Sequence, residues 1–323
     1  MADYHNPMRI LLTGGTGLIG SRIVKILAER GDTVLVVSRS EKSLSKLPSR
    51  TTLLVGDPTQ PGEWVDEIPT CDAVIHLAGE SIAAGRWTAE FKKRVLDSRV
   101  QSAALIADKL AERPTRADGT PKAFICASAV GYYGMFESNA TEFIETDLPG
   151  SGFLADVCVQ WERATEPARL AGVRVATVRV GVVLAADGGA LPAMRTPFAL
   201  FLGGPAGGGK QWISWIHIDD IVGLFLHALD NPDANGPING TAPEPLTNWG
   251  FAKTLGAVMG KPAWLPAPAL GMRLLLGERA ELVTHGQRVI PAKAKALGYE
   301  FRHPLLENAL RHLLDKPLHD PKP

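Results

Sequence analysis

Residues 8–39, MRILLTGGTGLIGSRIVKILAERGDTVLVVSR, read as a strand, a glycine-rich turn, a helix and a second strand. Ile10-Leu11-Leu12 is a short apolar run. Ile23, Ile26 and Leu27 then recur at helical spacing, Gly31 ends the helix, and Val34-Leu35-Val36-Val37 is the continuous apolar run of a buried strand. Two strands joined by a helix in this way lie parallel, through a right-handed crossover, in a sheet covered on both faces. Within the turn, Gly14 permits the tight bend, Gly17 lets a pyrophosphate approach bare backbone, and Gly20 lets helix and sheet pack closely. The helix start turns its free N–H groups and positive dipole end toward such phosphates. The pattern therefore reads as a dinucleotide site, against the alternative of a purely structural glycine turn.

The end of the second strand selects the dinucleotide. An acidic residue about 20 positions after the glycines would hydrogen-bond a free ribose 2′-hydroxyl, whereas a basic one suits a 2′-phosphate. Ser38-Arg39-Ser40 fills this position, with no Asp or Glu before Glu41. A guanidinium grips phosphate as a fork and stacks on adenine, so NADP(H) is expected over NAD(H). Arg39 as a solvated loop residue is the competing reading.

The 323 residues allow one large domain or two modest ones. Lys plus Arg and Asp plus Glu both total 34, so no basic excess points to nucleic acid or an anionic membrane. The local cluster Lys92-Lys93-Arg94 reads as a solvated helix face. Cys71, Cys126 and Cys158 have no C-x-x-C spacing and suit buried thiols in a reducing compartment. No apolar run approaches the ~18 residues of a bilayer span. The start, MADYHNP, lacks the parts of a signal peptide, so a cytoplasmic protein acting on a small molecule is expected, with residues 1–7 and 316–323 as flexible ends. Composition carries no signal of oligomeric state.

Leu53-Leu54-Val55 reads as a third strand, residues 73–79 as a fourth, 123–128 as a fifth and 173–183 as a sixth. Helices are expected over 98–110 and over 157–170, the latter interrupted late by Pro167. Strands alternating with helices imply an α/β fold, a Rossmann-type doubly wound parallel sheet. After Leu184 the character changes. Residues 185–209 are rich in Gly, Ala and Pro, including Gly203-Gly204-Pro205-Ala206-Gly207-Gly208-Gly209, which reads as a functional loop or part of a second lobe. Trp215-Ile216-His217-Ile218 is strand-like, with Asp219 suited to N-cap a helix over 220–229. Further helices are expected near 248–259, 269–285 and 305–314. The expected division is a dinucleotide-binding domain over 8–184 plus 214–232 and a smaller α/β C-terminal substrate lobe over 185–213 plus 233–315. The strand ends near Gly14, Arg39, Ala78 and Ser128 would then line one cleft.

From residue 8 to about 314 the chain resembles the extended short-chain dehydrogenase/reductase superfamily, in its NAD-dependent epimerase/dehydratase group. The resemblance rests on residues 13–20, His76-Leu77-Ala78-Gly79, residues 128–134, residues 179–184 and residues 215–220. Ser128-Ala129-Val130-Gly131-Tyr132-Tyr133-Gly134, Trp161-Glu162, Gly203-Gly204-Pro205, Trp215-Ile216-His217 and Gly286-Gln287-Arg288-Val289-Ile290-Pro291 are similar to the atypical YfcH-like "epimerase family proteins", some of which carry a cell-division label. The resemblance implies an NADP(H) site. Gly14, Thr16, Gly17, Leu18 and Ile19 match its pyrophosphate turn, and Ser38 and Arg39 its 2′-phosphate contact. Asp57 matches the adenine side, and Leu77, Ala78 and Gly79 the strand edge that passes the cofactor. Arg99 adds a cationic contact, with Arg94 a weaker companion; a structural salt bridge is the alternative for both.

One departure stands out. Active members of this superfamily carry Tyr-x-x-x-Lys on one helix face, the lysine lowering the tyrosine pKa so that the phenol exchanges a proton. Aligning a Glu that often follows the lysine with Glu162 places Cys158 at the lysine position and Leu154 at the tyrosine position. Residues 150–167 contain no tyrosine or lysine. Three readings remain. The first is an atypical reductase or epimerase with its acid/base groups elsewhere, Ser128 and Tyr132 (or Tyr133) being the candidates. The second is a catalytically silent NADP(H)-binding regulator or redox sensor, and the third a cell-division-related interaction protein. On the substrate side Trp212, Trp215, His217 and the 203–209 loop are expected to face the cleft, with His217 either a general acid or a satisfied junction residue. No His, Cys, Asp or Glu cluster has metal-ligand spacing, so no metal is expected.

Overall fold

The computed structural model describes residues 6–316; residues 1–5 and 317–323, part of the expected loose ends, lie outside the described residues. Seven strands form one sheet: β1 (Arg9–Thr13), β2 (Thr33–Ser38), β3 (Thr51–Val55), β4 (Ala73–His76), β5 (Ala123–Ala129), β6 (Arg174–Val180) and β7 (Gly236–Gly240). The order is β7-β6-β5-β4-β1-β2-β3, and every pairing is parallel. β1 and β4 are buried on both faces, as a central parallel strand must be, which is why they read as unbroken apolar runs. From β1 the chain steps outward to β2 and β3, then returns to β4 and steps the other way. Beyond the carboxyl ends of β1 and β4 the crossovers diverge and leave a crevice.

The principal helices are α1 (Leu18–Arg30), α2 (Ala89–Glu112), α3 (Phe153–Arg163), α4 (Ile218–Asp230), α5 (Asn248–Met259) and α6 (Leu306–Leu313). α1 buries Gly20, Ile23, Val24, Leu27 and Ala28, the three- and four-residue spacing of one face. It stops at Gly31, whose φ of 95° is the left-handed conformation that glycine adopts without strain. α1 packs beside α4, and α2 beside α3. Right-handed crossovers that step in opposite directions place these two pairs on opposite faces of the sheet.

Several expected elements differ in extent. The fourth strand ends at His76, so residues 77–79 are free of the ladder. The helix expected over 157–170 is two: α3 ends at Arg163, and Glu166–Leu170 begins with Pro167 in its first turn, where a missing N–H costs nothing. The strand expected over 173–183 breaks at Gly181, where a Cβ would collide with the Ser214 carbonyl. Val182–Ala185 instead joins Trp215–His217 and Gly188–Gly189 in a small sheet. Asp219 is not the N-cap of α4; His217 is, its Nδ1 accepting the Asp219 N–H at 3.0 Å. Residues 269–285 form Ala269–Leu276, a 3-10 turn Gly277–Ala280 and Glu281–Thr284, divided at Gly277 with φ 61°. Gly236–Gly240, grouped above with the smaller lobe, is the seventh strand of the main sheet. The three cysteines are buried free thiols. Among the described residues no helix is long and apolar enough to cross a membrane.

Candidate functional site

The crevice is built on a hydrogen-bonded chain that ties the ends of β1 and β4. Thr13 pairs with His76 across the ladder, and Thr13 Oγ1 lies 2.6 Å from His76 Nδ1. His76 Nε2 is 3.0 Å from Ser102 Oγ, which donates to the Ser98 carbonyl at 2.7 Å. With the Ser102 proton so used, Nε2–H is the donor toward Ser102, and Nδ1 accepts the Thr13 hydroxyl. Burial, with a contribution from the Arg99 charge, lowers the His76 pKa to about 3, so this ring is neutral. Thr13 Oγ1 also accepts the Ala78 N–H at 3.4 Å, which brings residues 77–79 against the glycine turn.

In that turn Gly14 has φ 75°, and a Cβ there would sit 2.8 Å from the Leu77 carbonyl carbon and 2.9 Å from the Ala78 nitrogen. A Cβ on Gly20 would collide with the Gly14 carbonyl, so helix and turn touch through backbone alone. Gly17 differs: a Cβ would meet only the Gly14 oxygen, at 3.3 Å, and its outer side is open. Gly17 N-caps α1 with no side-chain cap and no acidic residue in the first turn, which leaves the positive end of the helix unneutralised. Thr16 and Gly17 are exposed, and Leu18 and Ile19 half-buried. The residues present fit a bound pyrophosphate: two glycines are demanded by the fold, and the third stands where a ligand rather than the protein would come close.

At the tip of β2 the Ser38 hydroxyl pairs with Ser43 at 2.7 Å, and Ser40 caps the short turn Glu41–Lys46. Arg39 is exposed and meets no carboxylate among the described residues. Asp57, beyond β3, is exposed and accepts from the Thr59 N–H and hydroxyl through one oxygen. Gly79 lies over Arg99, whose guanidinium would be 3.1 Å from a Cβ at that position. Among the described residues Arg99 forms no salt bridge; it donates to the Val95 carbonyl and stacks 5.2 Å from the Trp161 ring, and burial lowers its pKa. Arg94 is turned away over Phe91.

Next along the sheet, the end of β5 carries a buried polar network. Ser128 donates to Glu162 at 2.7 Å. Arg179 on β6 grips both oxygens of Glu162, from Nε at 2.8 Å and Nη2 at 2.9 Å, and donates to the Tyr133 hydroxyl at 2.9 Å. That hydroxyl donates to Asn239 Oδ1 at 2.8 Å or the Ile144 carbonyl at 3.0 Å, and burial raises its pKa to about 12. The Arg179 guanidinium lies 3.4 Å from the centre of the Tyr132 ring, which is half-buried. α3 packs Leu154 and Cys158 against Gly131. The Cys158 thiol donates to the Ala129 carbonyl, and burial pushes its pKa up to about 11. Residues 150–167 carry no local sign of the Glu162–Arg179 pair, whose members stand in the sequence only within the family-like segments Trp161-Glu162 and 179–184.

The connection after β5 also reaches a concavity of about 420 Å³ lined by Ser138, Asn139, Gly208, Lys210, Trp212 and Trp249, among others. Of the residues expected to face the cleft, Trp212, Gly208 and Gly209 line this concavity. Trp215 and His217 do not line it. Trp215 is fully buried and donates to the Glu244 carbonyl at 3.0 Å. His217 is buried beneath a second concavity, of about 370 Å³, beside Arg22 and Asp187.

Residues 10–239 match the NAD dependent epimerase/dehydratase family, and residues 267–313 match a domain of unknown function, DUF1731. An Arabidopsis thaliana chloroplastic homologue of epimerase family protein SDR39U1 is 39% identical over 316 residues, 97% of this chain and 88% of its own length. The crystal structure of human epimerase family protein SDR39U1 (isoform 2) with NADPH superposes with a TM-score of 0.80 at 34% identity, covering 95% of this chain and 99% of that one. A nucleoside-diphosphate sugar epimerase from Corynebacterium glutamicum gives a TM-score of 0.75 at 32% identity, over 96% of this chain and 58% of the other. The seven-stranded Rossmann-type sheet, the uncapped glycine turn and the full-length likeness converge: this chain belongs to the NAD dependent epimerase/dehydratase family.

Proposed function

We propose that this protein binds NADP(H) in the crevice beyond β1 and β4 and serves as an atypical epimerase- or reductase-like oxidoreductase on a small molecule. The observation that carries the reading is the Gly14 turn, seated on the Leu77–Ala78 backbone beneath an uncapped, acid-free α1 start. The human relative solved with NADPH supports the same choice of cofactor. Gly14, Thr16, Gly17, Leu18 and Ile19 hold the pyrophosphate. Ser38 and Arg39 take the 2′-phosphate, Asp57 borders the adenine, and Leu77, Ala78 and Gly79 line the cofactor's path, with Arg99 beneath. When bound, the dinucleotide supplies or accepts a hydride.

Proton handling then falls to this chain. Ser128 already donates its proton to Glu162 and so presents its oxygen as an acceptor. Tyr132 is the more available phenol, because the hydroxyl of Tyr133 is held among Arg179, Asn239 and Ile144. The concavity at Trp212 and Trp249 offers broad apolar faces and, in Lys210 and Asn139, polar anchors for the substrate.

A second reading, a catalytically silent NADP(H)-binding regulator, is favoured by one observation: α3 packs Leu154 and Cys158, rather than a tyrosine and a lysine, against Gly131, while Ser128 is tied to Glu162. Calorimetric titration with NADPH and NADH, followed by NADPH oxidation across a panel of carbonyl compounds, separates the two. NADPH binding with turnover of any panel member supports the oxidoreductase. Binding without turnover across a broad panel favours the regulator, and no heat with either nucleotide overturns both.

A further inference from the structure

At the start of α4 the fold gathers four side chains to which the function proposed above gives no part. His217 caps α4, Asp219 lies in its first turn, His303 belongs to the segment before α6, and His312 lies in the last turn of α6. One donor atom from each of the four lies within 4.8 Å of the others. His217 Nε2 is 3.0 Å from His312 Nδ1, and His303 Nε2 is 3.8 Å from Asp219 Oδ2. The His217 and His303 rings stack with centroids 3.8 Å apart, and those of His303 and His312 are 4.6 Å apart.

We propose that His217, Asp219, His303 and His312 bind one divalent transition-metal ion of the zinc class, which clips the C-terminal segment to the start of α4. Three imidazoles and a carboxylate are a borderline-soft donor set suited to zinc-like ions, whereas calcium and magnesium take oxygen ligands. Donors of a tetrahedral zinc site, with bonds of about 2.0 Å, stand about 3.3 Å apart. The observed spacings of 3.0 to 4.8 Å therefore require only small side-chain rotations.

Three further features support a built site. Asp220, the next residue after Asp219, accepts the Arg302 N–H at 2.7 Å and the His303 N–H at 2.9 Å, which fixes the backbone that presents His303. Arg22, which lines the adjoining concavity, is occupied by Asp187 through two bonds of 2.8 and 2.9 Å. The concavity of about 370 Å³ gives solvent a path to His217, Asp219 and His312. If His217 ligates through Nε2, its ring proton moves to Nδ1, which then gives up the bond from the Asp219 N–H and can turn to the Asp219 carboxylate, 3.7 Å away. Metal-ligand spacing was invisible in the sequence because 95 residues separate His217 from His312.

The test uses the full chain, free of any histidine tag and stripped with chelator. Calorimetry with Zn²⁺ should give one ion per chain, and Zn²⁺ should raise the unfolding temperature, while Mg²⁺ should do neither. Co²⁺ should develop the visible absorption of a four-coordinate nitrogen and oxygen site. His303→Ala and His312→Ala should each weaken Zn²⁺ by at least about tenfold and abolish the thermal shift. His312 is exposed, so its replacement leaves the fold intact; His217 is left in place because it caps α4. Wild-type protein that takes up no stoichiometric Zn²⁺ would overturn the proposal, as would His303→Ala and His312→Ala proteins that bind as tightly as wild type. None of these readouts involves the dinucleotide.

Discussion

Arg179 holds Glu162 through two parallel hydrogen bonds of 2.8 and 2.9 Å in a site where their side chains are 3% and 16% exposed. The pair ties β6 to α3 and orients Ser128, Tyr132 and Tyr133 at the end of β5. A buried pair contributes little net stability against an apolar substitute, but losing one partner strands the other charge. Arg179→Ala should therefore lower unfolding free energy by about 3–5 kcal/mol, read from urea denaturation. A loss no larger than that of a surface substitution would mean that Glu162 finds another partner.

The glycine turn offers a paired prediction. Gly14→Ala puts a Cβ against the Leu77–Ala78 backbone at a φ of 75°, so it should destabilise the fold as well as remove nucleotide binding. Gly17→Ala meets only one oxygen at 3.3 Å. It should cost less than about 1 kcal/mol of stability yet weaken NADPH sharply, because its methyl group would enter the proposed pyrophosphate site. Thermal melts and calorimetry on the two variants check this. Undiminished NADPH affinity in Gly17→Ala would move the pyrophosphate elsewhere.

The sheet was largely legible in the sequence because central parallel strands are apolar on both faces and α1 carries a clean 3.6-residue stripe. α2 was expected to start at Ser98 but starts at Ala89, behind the cap Thr88, whose side chain accepts the Phe91 N–H at 3.2 Å. Its first turns carry Lys92-Lys93-Arg94, and the apolar stripe there is too sparse to reveal the helix. Trp215 and His217 looked like cleft residues because Trp and His serve equally in cores and in sites. Their three-residue strand is covered throughout, so alternation could not separate the two roles. The Glu162–Arg179 fork and the histidine cluster were illegible for a different reason: each joins separate elements, and periodicity reports only which face of one element is buried. The glycine turn was legible because its geometry is local.

Arg39 is exposed and meets no carboxylate among the described residues, so removing it should leave stability unchanged. A charge-assisted bond to phosphate contributes about 1.5–3 kcal/mol. Arg39→Ala should then weaken NADPH about 10- to 100-fold while NADH changes little. Parallel calorimetric titrations measure the ratio. Equal losses for the two nucleotides would remove Arg39 from the 2′-phosphate contact.

The Thr13–His76–Ser102 chain makes stability depend on pH with a definite sign. Folding lowers the His76 pKa from 6.5 to about 3, so between these values the unfolded chain binds the extra proton. The contribution is complete above about pH 6.5 and is lost as pH falls toward 3, with a limiting slope of about 1.4 kcal/mol per pH unit. His76→Gln abolishes this titration and disturbs the bridge between Thr13 and Ser102. It should be less stable than wild type at pH 7.5, by about 1–3 kcal/mol, yet lose less on acidification. Urea unfolding at intervals from pH 7.5 to 4.5 should show the two curves converging. Parallel curves would mean that His76 takes up its proton in the folded protein as readily as in the unfolded chain, and that the Thr13 hydroxyl does not hold its Nδ1.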